Sequence, residues 1–144
     1  MTIKQGGFLL VVLAGIYIAS AAVRGYILAN QAENYLQESL YAIARPWDGD
    51  AIYKRASIWL KEISRLKPEE IARLASIELG DLIQITNDPD CGLQQGTDSY
   101  SNEMHTYAVC TLTAKFKEKS AVMKIRLIEE NDAWRINDFI SIAD

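Results

Sequence analysis

The chain has 144 residues, 49% of them apolar, and a formal net charge of -4. That acidic balance, with no long run of lysine and arginine, excludes a strong nucleic-acid binder, since nothing offers a phosphate-neutralising stripe. Two cysteines and one histidine also fall short of the four ligands of a structural zinc site.

The first predicted element is a membrane span over residues 6–29. From residue 6 to residue 23 no side chain carries a charge, and Tyr17 and Ser20 are the only polar members. An uncharged apolar run of about 18 residues or more marks a spanning helix. A helix over 6–29 reaches about 36 Å, enough to cross a roughly 30 Å hydrocarbon layer with some tilt. Arg24 can snorkel to the headgroups. The rival reading is a cleaved signal peptide, for which Ala19, Ala21 and Ala22 supply small residues. Against it, the leading region holds only Lys4 besides the terminal amine, and the apolar run exceeds the usual h-region. Lys4 and the amine on one flank, against Arg24 followed by Glu33 and Glu38 on the other, tip the charge bias slightly toward a cytoplasmic N-terminus. Residues 1–5 then form a short tail, and the folded part lies outside the cytoplasm. The expected setting is a bacterial inner membrane with the domain in the periplasm. The span has no strict Gly-x-x-x-Gly pair. Gly15, Tyr17, Ser20, Ala22 and Gly25 are the candidate contacts with a partner helix.

Residues 32–45 read as a helix continuing the span, with Leu36, Leu40, Ile43 and Ala44 in an apolar stripe that Tyr35 and Tyr41 widen. Pro46 stops it, lacking an amide proton and clashing with the preceding turn. Asp48 or Asp50 then caps a helix over 50–64, with Ile52, Ala56, Trp59, Leu60 and Ile63 on one side. Lys67, Pro68, Glu69 and Glu70 open a short third helix, proline in the first turn and acids at the positive end of the dipole. Its inner face is Ile71, Leu74 and Ala75. A strand is expected to take over near residues 77–80 and run through Leu82, Ile83 and Ile85. Asn87, Asp88, Pro89 and Asp90 read as a turn, and residues 92–102 as a polar loop. Asp88, Asp90 and Asp98 lack the spacing of a calcium-binding loop.

From Met104 the period becomes two. Ala108, Cys110, Leu112, Ala114 and Phe116 share one face, and His105, Tyr107, Val109 and Lys115 the other. Lys115, Lys117, Lys119 and Lys124 read as a solvated strand face. A second strand places Ala121, Met123, Ile125 and Leu127 inward. In a last strand over 134–142 the alternation slips, and one inserted residue would let Trp134, Ile136, Phe139 and Ser141 serve one face. Helices followed by antiparallel strands define an α+β domain. Cys91 and Cys110 allow one disulfide in an oxidising compartment; otherwise Cys110 is a buried core thiol.

Residues 107–116, the strand over 122–128 and above all Trp134, Arg135, Ile136, Asn137, Asp138 and Phe139 resemble the closing strands of cystatin-like domains related to nuclear transport factor 2 and ketosteroid isomerase. Membrane-tethered members, including small respiratory-complex assembly factors and domains of unknown function, are similar in layout. The resemblance implies a transmembrane helix followed by a cone of helices packed on a curved antiparallel sheet over residues 30–144. It makes Trp59, Cys110, Leu112, Met123, Ile125, Trp134, Ile136 and Phe139 the cone core or ligand lining. Enzymatic members place an acid and a base inside the cone. Here His105 faces away from Cys110 and Leu112, Asp138 falls at the slip in the last strand, and no pair of carboxylates has a spacing that commits both to one cavity. The expectation is therefore no enzyme and no cofactor or metal. The expected role is a non-catalytic accessory, structural or assembly subunit of a larger membrane protein complex. Its partners would be integral membrane proteins and the lipid bilayer, with no nucleic acid. Alternatives are a membrane-tethered binding module for a lipid, peptide or small apolar ligand, a minor pilin-like component, or an isomerase-like enzyme. For the pilin reading, Gly6, Gly7 and Phe8 precede an apolar helix, but Val12 stands where the pilin helix carries its glutamate.

Overall fold

One helix, α1 (Ile3–Ile43), runs unbroken for 41 residues, about 60 Å. The computed structural model describes residues 3–98 and 100–143, with side chains from Val11 onward. The two halves of α1 obey different solvents. From Val11 to Val23 every side chain is exposed, whereas Ala32, Leu36, Leu40 and Ile43 are fully buried. Their spacing of three and four residues turns one stripe into the domain core. No linker separates the apolar half from the folded half.

Asp48 caps α2 (Gly49–Arg55), its carboxylate accepting the Asp50 N–H at 2.9 Å. The single helix expected over 50–64 is in fact two pieces, α2 and a π-type turn, Trp59–Ile63. The cause is tertiary. Ser57 N–H donates to the Ile136 carbonyl at 2.8 Å, Ser57 Oγ donates to Asn137 Oδ1 at 2.9 Å, and the same oxygen accepts the Leu60 N–H at 3.2 Å. Pairing with the last strand thus outcompetes a continuous helix at Ala56 and Ser57. α3 (Pro68–Glu78) begins at its proline as expected but continues through the residues assigned to a strand start. Gly80, at φ +74°, ends it, and a Cβ there would meet Lys117 Cβ at 3.0 Å. Only glycine adopts that conformation without strain.

Four strands follow: β1 (Leu82–Thr97), β2 (Met104–Phe116), β3 (Ser120–Glu130) and β4 (Ala133–Ala143). They form an antiparallel meander in chain order. β1 overturns the reading of a turn at 87–90 and takes in residues 92–97 of the expected loop, whose remaining described residues form the β1–β2 turn. Asp88 and Pro89 together sit opposite Leu112, a bulge that removes the proline from the ladder. Proline and glycine are tolerated because β1 is an edge strand. In β4, register shifts pass over Asn137 and Ile140, which sets Ile136 opposite Leu127 and Phe139 opposite Ile125. Ser141 lies opposite Lys124, exposed, and does not join Phe139 on the core face.

Both edges are covered by elements that are not strands. α1 seals much of β1: Leu82 N–H donates to Ala44 O at 2.8 Å, Ile85 N–H to Tyr41 Oη at 3.1 Å and Cys91 N–H to Glu33 at 3.2 Å. Arg45 donates to the carbonyls of Leu82 and Ile83. At β4 the Ser57 N–H does the same work. Both edges are thus protected from further pairing, and the sheet is open and uncurled, not closed into a cone. The cystatin-like and nuclear transport factor 2-like assignment is therefore incorrect. The Trp134, Ile136, Phe139 pattern encodes a bulged strand and says nothing of curl.

As β1 advances from Leu82 to Cys91, its partner on α1 recedes from Ala44 to Glu33. β1 thus runs antiparallel to α1, and the β1–β2 and β3–β4 turns lie at the end of the sheet nearest the apolar half of the helix.

Candidate functional site

Two features stand out, the bare helix and a cleft. One N-terminal helix is long and apolar enough to cross a membrane, and none of its apolar window is buried. Of the residues expected to meet a partner helix, Gly15, Ala22 and Gly25 fall on one side, and Tyr17 and Ser20 on another, at 100° per residue. The five do not form a single face. Lower down, Leu28 already packs against the domain core. Lys115, Lys117 and Lys124 are exposed.

Of the residues expected to form the core or a ligand lining, most lie in the core. Cys110, Leu112, Met123, Ile125 and Ile136 are at most 1% exposed, and Trp134 is nearly so. Trp59 and Phe139 pack on its margin. Cys91 and Cys110 face each other across β1 and β2 and form a disulfide.

The cleft lies on the sheet face opposite the core and measures about 370 Å³. Its floor follows from strand alternation. Gln94 is opposite Tyr107, and Arg126 is opposite Val109 on one side and Asp138 on the other. All point away from the face of Cys110 and Ile125. Trp59 and Asn137 wall it at the β4 side; Asp98 and Tyr100, from the β1–β2 turn, close the other. Arg126 is half-buried, and among the described residues no carboxylate lies within ion-pair distance of it. Asn137 is 8% exposed and its oxygen is engaged by Ser57, which leaves its amide N–H groups facing the cleft.

The pairing of Asp98 with His105 is not legible in the sequence, because the two residues lie on either side of a turn and meet only when it closes. His105 Nε2 lies 2.7 Å from Asp98 Oδ2, and Ser101 donates to Asp98 through both its N–H and its hydroxyl. The hydroxyl points to the carboxylate, not to the imidazole, so the three do not form a nucleophile–base relay. They fasten the turn. Burial raises the Asp98 carboxyl, but the Ser101 hydrogen bonds and His105 outweigh it and hold the pKa below its ordinary value. A carboxyl depressed in the folded state contributes stability above the unfolded pKa, and that contribution is lost as pH falls through the folded value. Acidification from neutral pH through that depressed value is thus expected to cost the Ser101 amide its protection from hydrogen exchange, measured against the unfolded rate at each pH. Asp98→Ala, which removes the acceptor, should lack that protection already at neutral pH; equal protection in both proteins would refute the clamp.

Burial also raises the Tyr107 phenol; the Asp98 charge adds to this and Arg126 opposes it. A second groove, of about 380 Å³, runs between α3 and the end of β4, lined by apolar Leu66, Leu74 and Ile142. Among the described residues no three His, Cys, Asp or Glu side chains converge as a metal set. Comparison with protein-family models, with curated proteins and with solved structures gave no match to this chain.

Proposed function

We propose that this chain is a single-pass membrane protein whose α+β domain stands outside the cytoplasm and serves as an accessory or assembly subunit of a larger membrane complex. The observation that carries this reading is α1, one helix that is bare and apolar in its first half and core-forming in its second. A continuous helix fixes the domain's height and rotation relative to the bilayer, which a passive tether would not require. The disulfide supports an oxidising compartment. The exposed span supports an intramembrane partner, since association there rests on close packing of helix faces.

The test is extraction of the full chain in several mild detergents, with mass analysis of what copurifies. A stoichiometric integral membrane partner is expected, retained by the native chain and lost when residues 6–23 are replaced by an unrelated span. Recovery as a lone monomer in every detergent would overturn the proposal.

A further inference from the structure

We infer that the cleft on the open face of the sheet binds a sugar acid: a hydroxyl-rich ring that carries a carboxylate. The inference does not depend on the subunit role above. Arg126 presents a planar fork of donors on the cleft floor, and among the described residues no carboxylate fills it. A fork of that kind matches a carboxylate in two parallel hydrogen bonds. Asn137 adds donors from a nearly buried amide whose oxygen is already taken. Opposite this donor set stands Asp138, which accepts only, and which Arg126 faces across the ladder without an ion pair. The ligand must therefore bring acceptors to Arg126 and Asn137 and donors to Asp138.

An amino acid would satisfy the same two charges, but the rest of the cleft argues for hydroxyls. Asp98, the other acid in the wall, is spent on Ser101 and His105, so an ammonium would meet one carboxylate alone. The remaining polar lining is neutral and includes the Gln94 amide and the Tyr100 and Tyr107 phenols, groups that suit hydroxyls as donors and acceptors. Trp59 supplies a broad apolar surface for the C–H face of a ring. The volume, about 370 Å³, is at the small-ligand end of ordinary pockets.

The experiment titrates the full chain in lipid nanodiscs with glucuronate, glucose, acetate and glycine, followed by ligand-observed saturation-transfer NMR. Glucuronate is expected to saturate, with the other three at least about tenfold weaker. Arg126→Gln should bring glucuronate down to the level of glucose, and Trp59→Ala should weaken both sugars. Thr111→Ala, on the same sheet face outside the cleft, should change neither. Arg126→Lys keeps the charge without the fork and should fall between; it decides the matter where the glutamine variant does not fold. Acetate or glycine binding as tightly as glucuronate would overturn the inference. So would absence of saturation, or indifference of glucuronate to both substitutions at Arg126.

Discussion

Replacing Cys91 and Cys110 together by alanine is expected to cost about 3 kcal/mol of unfolding free energy. The bridge closes a separation of 19 residues, and in the chain-entropy model most of its effect is the freedom it removes from the unfolded chain. The native state adds a reason for the bond to sit here. β1 is rich in residues that disfavour strands, and the disulfide joins it to the middle of β2, at a position 0% exposed. The Cys91 N–H is also held by Glu33 of α1, so one residue ties the edge strand to its ladder partner and to the helix. Thermal unfolding of the purified chain should fall by roughly 10 °C or more, and reductant should bring the native protein down to the level of the double variant. A melting point unmoved by both treatments would show that β1 is held by its pairing alone. Cys91→Ala by itself leaves a buried thiol at Cys110 and should be no milder than the pair.

How far the sequence discloses this arrangement depends on which forces act locally. The stripe of Leu36, Leu40 and Ile43, the cap at Asp48 and the alternation through β2 and β3 are set by side chains within a few residues of each other, and they can be read directly. The slip in β4 is legible too, because Trp134, Ile136 and Phe139 keep one face only if a residue is passed over. β1 is not legible. Asn87, Asp88, Pro89, Gly92 and Gly96 all favour turns, and what makes them a strand is backbone pairing with β2 and the cover of α1. Cys91 is the one local clue, since a disulfide to Cys110 in the middle of β2 holds residue 91 beside that strand. The split of the second helix depends on Ile136, some 80 residues away, and no local propensity contains it. The cleft is least legible of all. Gln94, Tyr107, Arg126 and Asp138 come from four strands, and they meet only once register and openness are known. A curved cone was the wrong expectation because it rested on a residue pattern in β4 that encodes a bulged register and carries no information on whether the whole sheet closes.

Trp47→Ala is expected to be the most damaging single substitution in the domain, at about 3–5 kcal/mol. Trp47 follows the helix stop and is 8% exposed, its ring stacked on Phe116 with centroids 6.0 Å apart. Its indole N–H donates to the Gly80 carbonyl at 2.8 Å. The side chain thereby links the end of α1, the left-handed exit from α3 and the last residue of β2. Truncation opens a cavity among residues that cannot close it, since Gly80 is already packed against Lys117 and Phe116 is held at 1% exposure by its strand. It also leaves the Gly80 carbonyl without its donor, a separate cost of about 1–3 kcal/mol if the oxygen stays buried. The two contributions separate experimentally. Trp47→Phe keeps an aromatic ring against Phe116 and loses the hydrogen bond, so it should fall clearly short of the alanine variant in denaturant unfolding. If phenylalanine proved as damaging as alanine, the hydrogen bond to Gly80 would be the dominant tie; if alanine cost under about 1 kcal/mol, the junction would be loose and some other contact would hold the exit of α3 against the sheet.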